Sequence, residues 1–324
     1  MNLERRSQRM AGIVRHPLVA PAIAIIAILL VGQEIAPGFA AFGQLVDQLT
    51  IAAILAVVAA GQTIVVLTGR DGIDLSVGGI LSLGALIAGD LMSGHDANAV
   101  LAFPAVLVAG FGIGLLNGAG VTVLRIPPLV MTLGTAGVIQ GLLVLLTQGR
   151  TSGAAAPSVV KLVTQPLLVG LPGILYAWAA IGVALMLLLR RTRFGLELYA
   201  IGANDVAARL SGVRVDVTRT LAYGLSGMFA AMGGFLLLGY TGTVFVGAGD
   251  AYVLPSVIAV VIGGTRLAGG TGGYAGTVLG AITLTLLQSV LITLNVPAFG
   301  RQVIFGLALL GFMLAYGRER RLRQ

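Results

Sequence analysis

Apolar residues run through this chain in blocks, not in alternation. I51-AAILAVVAAGQTIVVL67 and V100-LAFPAVLVAGFGIGLL116 carry no charge. A half-buried strand would alternate apolar and polar positions, and a soluble helix would show a polar face every third or fourth residue. A membrane-crossing helix needs roughly 20 mostly apolar residues, and the blocks divide into about ten stretches of that kind. They fall near 17–33, 44–68, 74–92, 98–124, 127–147, 172–190, 219–239, 252–265, 273–294 and 299–317. The pattern predicts an all-α polytopic membrane protein with about ten transmembrane helices. The third and eighth stretches are short and broken by Gly and Pro. The 148–171 stretch, rich in Ser, Gly and Pro, fits an ordered surface loop or a short interfacial helix.

Composition agrees: 57% of the 324 residues are hydrophobic and 10% charged, against about 25% charged in a soluble domain. Cysteine is absent and only His16 and His95 are present. Disulfides, thiolate metal sites and histidine-based catalysis therefore have almost no residues to work with, and no metal site is expected. The net charge of +8 is concentrated in three places: the arm 1–16, the segment 190–219 and the tail 318–324 each carry a net +3. Arginine-rich short segments stay on the cytoplasmic side, so both termini and 190–219 are expected inside, with no role in nucleic-acid binding. That topology fits an even number of spans: a cytoplasmic arm 1–16, one transmembrane domain 17–317 with halves about 17–147 and 172–317, and a cytoplasmic tail. Leu18–Gly32 could be a cleaved signal segment, but the long basic arm and the immediate next span favour an uncleaved first helix. The one tryptophan, Trp178, lies near the outer end of span six and reads as an interfacial anchor.

The two halves echo each other. Arg125-Ile126-Pro127 opens span five and Asn295-Val296-Pro297 opens span ten; Gly110, Gly114 and Gly118 precede the first, and Gly272, Gly276 and Gly280 the second. Two inverted five-helix repeats are expected, with Gly- and Pro-interrupted segments near a central path. The glycine rows themselves read as helix-packing surfaces. G69-RDGIDLSVGG79 places Arg70, Asp71 and Asp74 between two greasy runs. Asp74 and Ser76 are expected to cap span three by accepting its free N–H groups, and Arg70 and Asp71 to neutralise one another.

Segment 190–219 is too long for a plain connector. Its middle predicts a short amphipathic helix capped by Asn204 or Asp205, with Val206, Ala207 and Leu210 as an apolar face and Gly212 as its stop. It reads as a docking element for a soluble partner. Intramembrane polar residues are candidates for a solute pathway: Gln62, Thr63, Asp74, Ser76, Asn117, Thr132, Thr135, Gln140, Asp250, Thr283, Gln288 and Asn295. Each can equally bond a neighbouring helix, since polar groups in hydrocarbon must find partners.

GIDLSVGGILSLGALIAG (72–89), GLLNGAGVTVLRIPPLVMTLGT (114–135), FGLELYAIGANDVAARLSGVRV (194–215) and VIGGTRLAGGTGGYAGTVLGAI (261–282) resemble the permease subunits of bacterial ABC importers for monosaccharides. These are the ribose, xylose, galactose and autoinducer-2 type, related to branched-chain amino-acid permeases. The likeness runs from about residue 40 to 317. It implies a multi-pass protein of the inner membrane. Its expected partners are a second permease (identical or a sister chain), a periplasmic sugar-binding protein and an ATPase with tandem nucleotide-binding domains. The family's coupling segment matches Gly202, Ala203, Asn204, Asp205, Val206, Ala207, Ala208, Arg209 and Leu210. The chain has no Gly-rich Lys-Ser/Thr phosphate loop, so it is expected to bind no cofactor and to be no enzyme; ATP-Mg belongs to the partner. The approach Thr68-Gly69-Arg70-Asp71 departs from the family's small or glycine-rich run. The alternatives are a permease for branched-chain amino acids or nucleosides, and an ion-coupled secondary transporter. The latter would need Asp74, Asp90 or Asp250 in the membrane, and the last two fall near its outer surface.

Overall fold

The computed structural model describes residues 18–70, 72–150 and 153–318. The arm 1–16, Asp71 and the tail beyond Arg318 lie outside the described residues, as do the expectations placed on them. The described chain is mostly helical. In order come α1 (Val19–Ile35), α2 (Phe42–Leu67), α3 (Val77–Met92), α4 (Asp96–Thr122), α5 (Pro128–Thr147) and α6 (Pro157–Thr164). A small antiparallel hairpin of β1 (Pro166–Leu168) and β2 (Leu171–Pro172) follows. Then come α7 (Gly173–Arg191), α8 (Arg193–Ala203), α9 (Asp205–Leu210), α10 (Val215–Thr241), α11 (Asp250–Ile262), α12 (Tyr274–Thr293) and α13 (Ala298–Arg318). Among the described residues six helices, α2, α4, α5, α7, α10 and α12, are long and apolar enough to cross a membrane. Helices α1, α3 and α11 are shorter. At about 1.5 Å per residue, the 13 residues of α11 reach well short of a hydrocarbon core of about 30 Å.

Helices α2 and α10 form the centre, buried over most of their length. Glycine brings their neighbours close. A Cβ on Gly114 would lie 2.2 Å from the Tyr223 carbonyl, and one on Gly110 2.4 Å from the Gly227 carbonyl. The first glycine row therefore packs α4 on α10. The second row packs α12 on α11: Gly276 abuts Gly263, and Gly280 abuts Ala259. In hydrocarbon, where apolar contact alone gives little preference for a neighbour, such close approach is a main source of helix association. Gly114→Val would push α4 off α10 and lower stability by about 1–3 kcal/mol or more. A lower melting temperature of the detergent-solubilised protein checks this.

The 148–171 stretch holds the short helix α6, whose Val159 and Val163 are buried. Trp178, expected as an interfacial anchor, also has a partner inside the protein. Its Nε1 donates to the Tyr274 hydroxyl (3.0 Å), which donates to the Ala56 carbonyl (3.1 Å), so the indole ties α7 to α12 and α2. An indole N–H shielded from water needs an acceptor, and that of the half-buried Trp178 finds one inside the bundle. The paired turns before α5 and α13 share a backbone feature: Arg125 and Asn295 both adopt left-handed φ (58° and 56°) just before Ile126-Pro127 and Val296-Pro297.

Candidate functional site

The segment between α2 and α3, described at residues 68–70 and 72–76, is irregular yet largely buried. Thr68, Asp74 and Ser76 are almost wholly inaccessible. Irregular backbone at membrane depth must find its partners in protein, and a polar cluster supplies them. Gln62 on α2, with its amide turned to suit its surroundings, donates to the Asp74 carbonyl (3.2 Å) and accepts from the Asp74 N–H (3.3 Å). The Asp74 Oδ1 accepts from the Ser76 N–H (3.0 Å) and the Ser76 hydroxyl (2.5 Å). Its Oδ2 accepts from the Ser226 hydroxyl of α10 (2.8 Å). Asn117 on α4 donates to the Ser76 Oγ (2.8 Å) and accepts from the Thr135 hydroxyl of α5 (2.5 Å). One carboxylate thus organises five helices. Three donors surround it in place of water, which makes these charge-assisted bonds strong.

Of the two residues expected to cap α3, only Asp74 accepts a backbone N–H; the Ser76 side chain makes no cap bond and serves as a relay between Asp74 and Asn117. The cluster is closed to solvent here, so Asp74, Ser76 and Asn117 act on helix placement in this conformation. Three α10 residues were not foreseen: Arg219, Tyr223 and Ser226. Arg219 donates to the Thr68 carbonyl (3.3 Å), Ser226 reaches Asp74, and Tyr223 lies buried between them in sequence. Their i, i+4, i+7 spacing on one apolar helix is the signal that could have marked them.

The remaining candidates separate from this cluster. Gln140 on α5 and Asp250 at the start of α11 meet: the Gln140 amide donates to both carboxylate oxygens (3.2 and 3.0 Å) on a solvent-accessible face. Thr132 bonds back to the Pro128 carbonyl, and Thr283 to that of Leu279. Thr63 pairs with Thr277 across α2 and α12 (2.7 Å). Gln288 and Asn295 are exposed, and Asn295 serves its turn through its backbone.

At the arginine-rich end, segment 190–219 folds as two helices where one was expected. The unforeseen one is α8, capped by Thr192, whose hydroxyl accepts from the Gly195 N–H. Asn204 caps α9, its Oδ1 accepting from the Val206 and Ala207 N–H groups (3.1 and 3.0 Å). Gly212 takes the left-handed conformation that ends it (φ 85°). Ala208 packs inward on Ile201 and Val215. Val206 and Leu210 point outward, 61% and 85% exposed. Arg209 grips Asp216 through two bonds (2.9 and 2.8 Å), fixing α9 against α10. Arg70 reaches Asp205 at 2.6 Å.

The family model for the permease component of the branched-chain amino acid transport system matches residues 44–315. The chain belongs to this permease family. As a member of it, with apolar helices of membrane length, it is a multi-pass membrane protein. The autoinducer 2 import system permease protein LsrC of Yersinia enterocolitica serotype O:8 / biotype 1B is 39% identical over 278 residues, covering 84% of this chain and 76% of that relative. The proteins of the same name from Yersinia pestis and Yersinia pseudotuberculosis serotype O:3 are 38% identical, covering 84% of this chain and 78% of each relative. No solved structure matches the permease. Its matched region contains the Asp74 cluster, the Gln140–Asp250 pair and α9 together.

Proposed function

We propose that this permease is the translocation subunit of an ATP-driven importer for a simple sugar of the autoinducer-2 and monosaccharide class. It would work as one of a pair of permeases in the inner membrane, fed by a periplasmic binding protein and driven by an ATPase with tandem nucleotide-binding domains. The observation that carries this reading is α9. It is a folded, capped helix that turns two large apolar side chains, Val206 and Leu210, away from the protein, a surface suited to a partner, and Arg209–Asp216 ties it to α10. A partner that closes on ATP-Mg and moves α9 moves the bundle.

The same reading makes α1, α3, α11 and α13 spans, giving ten in two inverted sets of five with both termini inside. The matched left-handed turns at Arg125 and Asn295 support the repeat. So does the meeting of the two broken helices, where the Gly249 N–H before α11 donates to the Ser82 hydroxyl of α3 (2.9 Å). The pathway runs along the face of α5 that bears Gln140 and the exposed Gly134, Gly137 and Gly141, beside Asp250. A carboxylate with an amide on it does not face lipid, so this face borders water or the second permease. The relatives' names, autoinducer 2 import permeases, favour autoinducer-2 over a branched-chain amino acid.

Co-purification tests the reading. The tagged chain, extracted in mild detergent from its host, should carry a tandem-domain ATPase, and uptake into proteoliposomes should require ATP and the binding protein. A chain that purifies alone and transports without ATP would sink it and turn attention to ion coupling.

A further inference from the structure

Three stretches of backbone touch at the arginine-rich end without side chains between them. The end of α2 supplies Leu67–Arg70, the end of α8 supplies Gly202 and Ala203, and the turn between α11 and α12 supplies Ala268–Gly270. The Gly270 N–H donates to the Leu67 carbonyl (3.1 Å). A Cβ on Gly202 would stand 2.0 Å from the Leu67 carbonyl oxygen and 2.2 Å from the Gly270 nitrogen. One on Gly269 would stand 2.5 Å from the Gly69 Cα. Side-chain ties surround the contact: Arg70 to Asp205 (2.6 Å), Arg219 to the Thr68 carbonyl (3.3 Å) and Tyr199 to the Gly272 carbonyl (3.0 Å).

Side-chain contacts can absorb a displacement by changing rotamer; backbone packed on backbone has no such slack. Gly202 and Ala203 lead directly into Asn204, the cap of α9. Leu67–Arg70 leads within four residues to Asp74, which is fastened to α2, α3 and α10. Ala268–Gly270 lies between α11 and α12. The backbone contacts thus join α9 to the segments entering α3 and leaving α11, the two shortened helices that meet at Gly249 and Ser82.

We propose that this glycine junction is the mechanical linkage between α9 and the Asp74 segment, and that Gly69, Gly202, Gly269 and the Arg70–Asp205 pair are positioning residues for transport, separate from the apolar face that docks the ATPase. The linkage rests on the reading of α9 as the docking element.

The test uses the permease–ATPase complex in proteoliposomes, with the binding protein and its sugar, reading ATP hydrolysis and uptake together. Arg70 lies outside the coupling segment and its side chain is 66% exposed, so Arg70→Ala leaves the fold in place and removes one tie of the junction. Expected: the ATPase binds as in wild type and hydrolysis continues, while uptake per ATP falls about ten-fold, in the range of a typical coupling between sites. Asp205→Ala and the double variant complete a cycle with Arg70→Ala, because linked residues give non-additive losses in uptake per ATP. Wild-type uptake per ATP in Arg70→Ala overturns the linkage alone, as do additive effects in the Arg70/Asp205 cycle. A wild-type chain that binds no ATPase overturns the docking reading and the linkage with it.

Discussion

Asp74→Ala is expected to leave little folded permease in the membrane. The substitution strips the acceptor from the Ser76 N–H, the Ser76 hydroxyl and the Ser226 hydroxyl, where Asp74, Ser76 and Ser226 are all inaccessible to water. A buried polar group left without its partner costs about 1–3 kcal/mol, so the three orphaned donors together take a large share of a typical stability of about 5–15 kcal/mol. The damage also spreads. Ser76 positions Asn117, and Asn117 positions Thr135, so loosening one oxygen frees contacts on α4 and α5. Asp74→Asn keeps one carbonyl oxygen but places an amide N–H against a donor, and should fall between Ala and wild type. Ser226→Ala removes a single donor and should cost only about 1 kcal/mol. Size-exclusion chromatography of the fluorescently tagged variants after a heating series measures this order. If Asp74→Ala stays monodisperse to the wild-type temperature, the cluster does not set the helix arrangement. A stable Asp74→Ala without uptake would return Asp74 to the pathway.

That cluster also shows how far sequence reaches in a protein of this kind. Apolar run length located the helices, because lipid demands long internally bonded segments whatever they pack against. The α9 segment was legible down to its outward side chains, because cap, face and stop are all local signals. Gln62, Asp74, Ser76, Asn117 and Thr135 were visible singly as polar residues in apolar runs. Their union was not visible, because it depends on how α2, α4, α5 and α10 cross, and crossing is set by glycine contacts between residues more than a hundred apart. Arg219, Tyr223 and Ser226 were hidden for a related reason: an apolar helix with three polar residues at helical spacing has a polar stripe, but sequence does not say what the stripe faces. The partner of Trp178 was hidden because Tyr274 lies 96 residues away.

Leu210→Asp is expected to abolish uptake while leaving the amount and melting temperature of the permease unchanged. Leu210 is 85% exposed, so its removal costs the folded chain almost nothing; exposed substitutions stay within about 0.5 kcal/mol. Its value lies in a partner's groove. Fully burying a leucine contributes about 1.5–3 kcal/mol, and burying an unpaired carboxylate in its place reverses the sign. Loss of the leucine alone weakens docking about ten- to hundred-fold at 1.4 kcal/mol per decade, and the charge adds to this. Val206→Asp, one turn earlier on the same exposed face, should act alike. Ala208→Asp gives the contrast: Ala208 packs inward against Ile201 and Val215, so its variant should destabilise the permease itself. Pull-down of the ATPase by each variant, with uptake measured in parallel, separates the two outcomes. Loss of the ATPase from a stable Leu210→Asp chain assigns the outward face of α9 to docking. Full uptake by that variant moves the docking surface off α9, and Leu196 on α8, also well exposed, becomes the next residue to change.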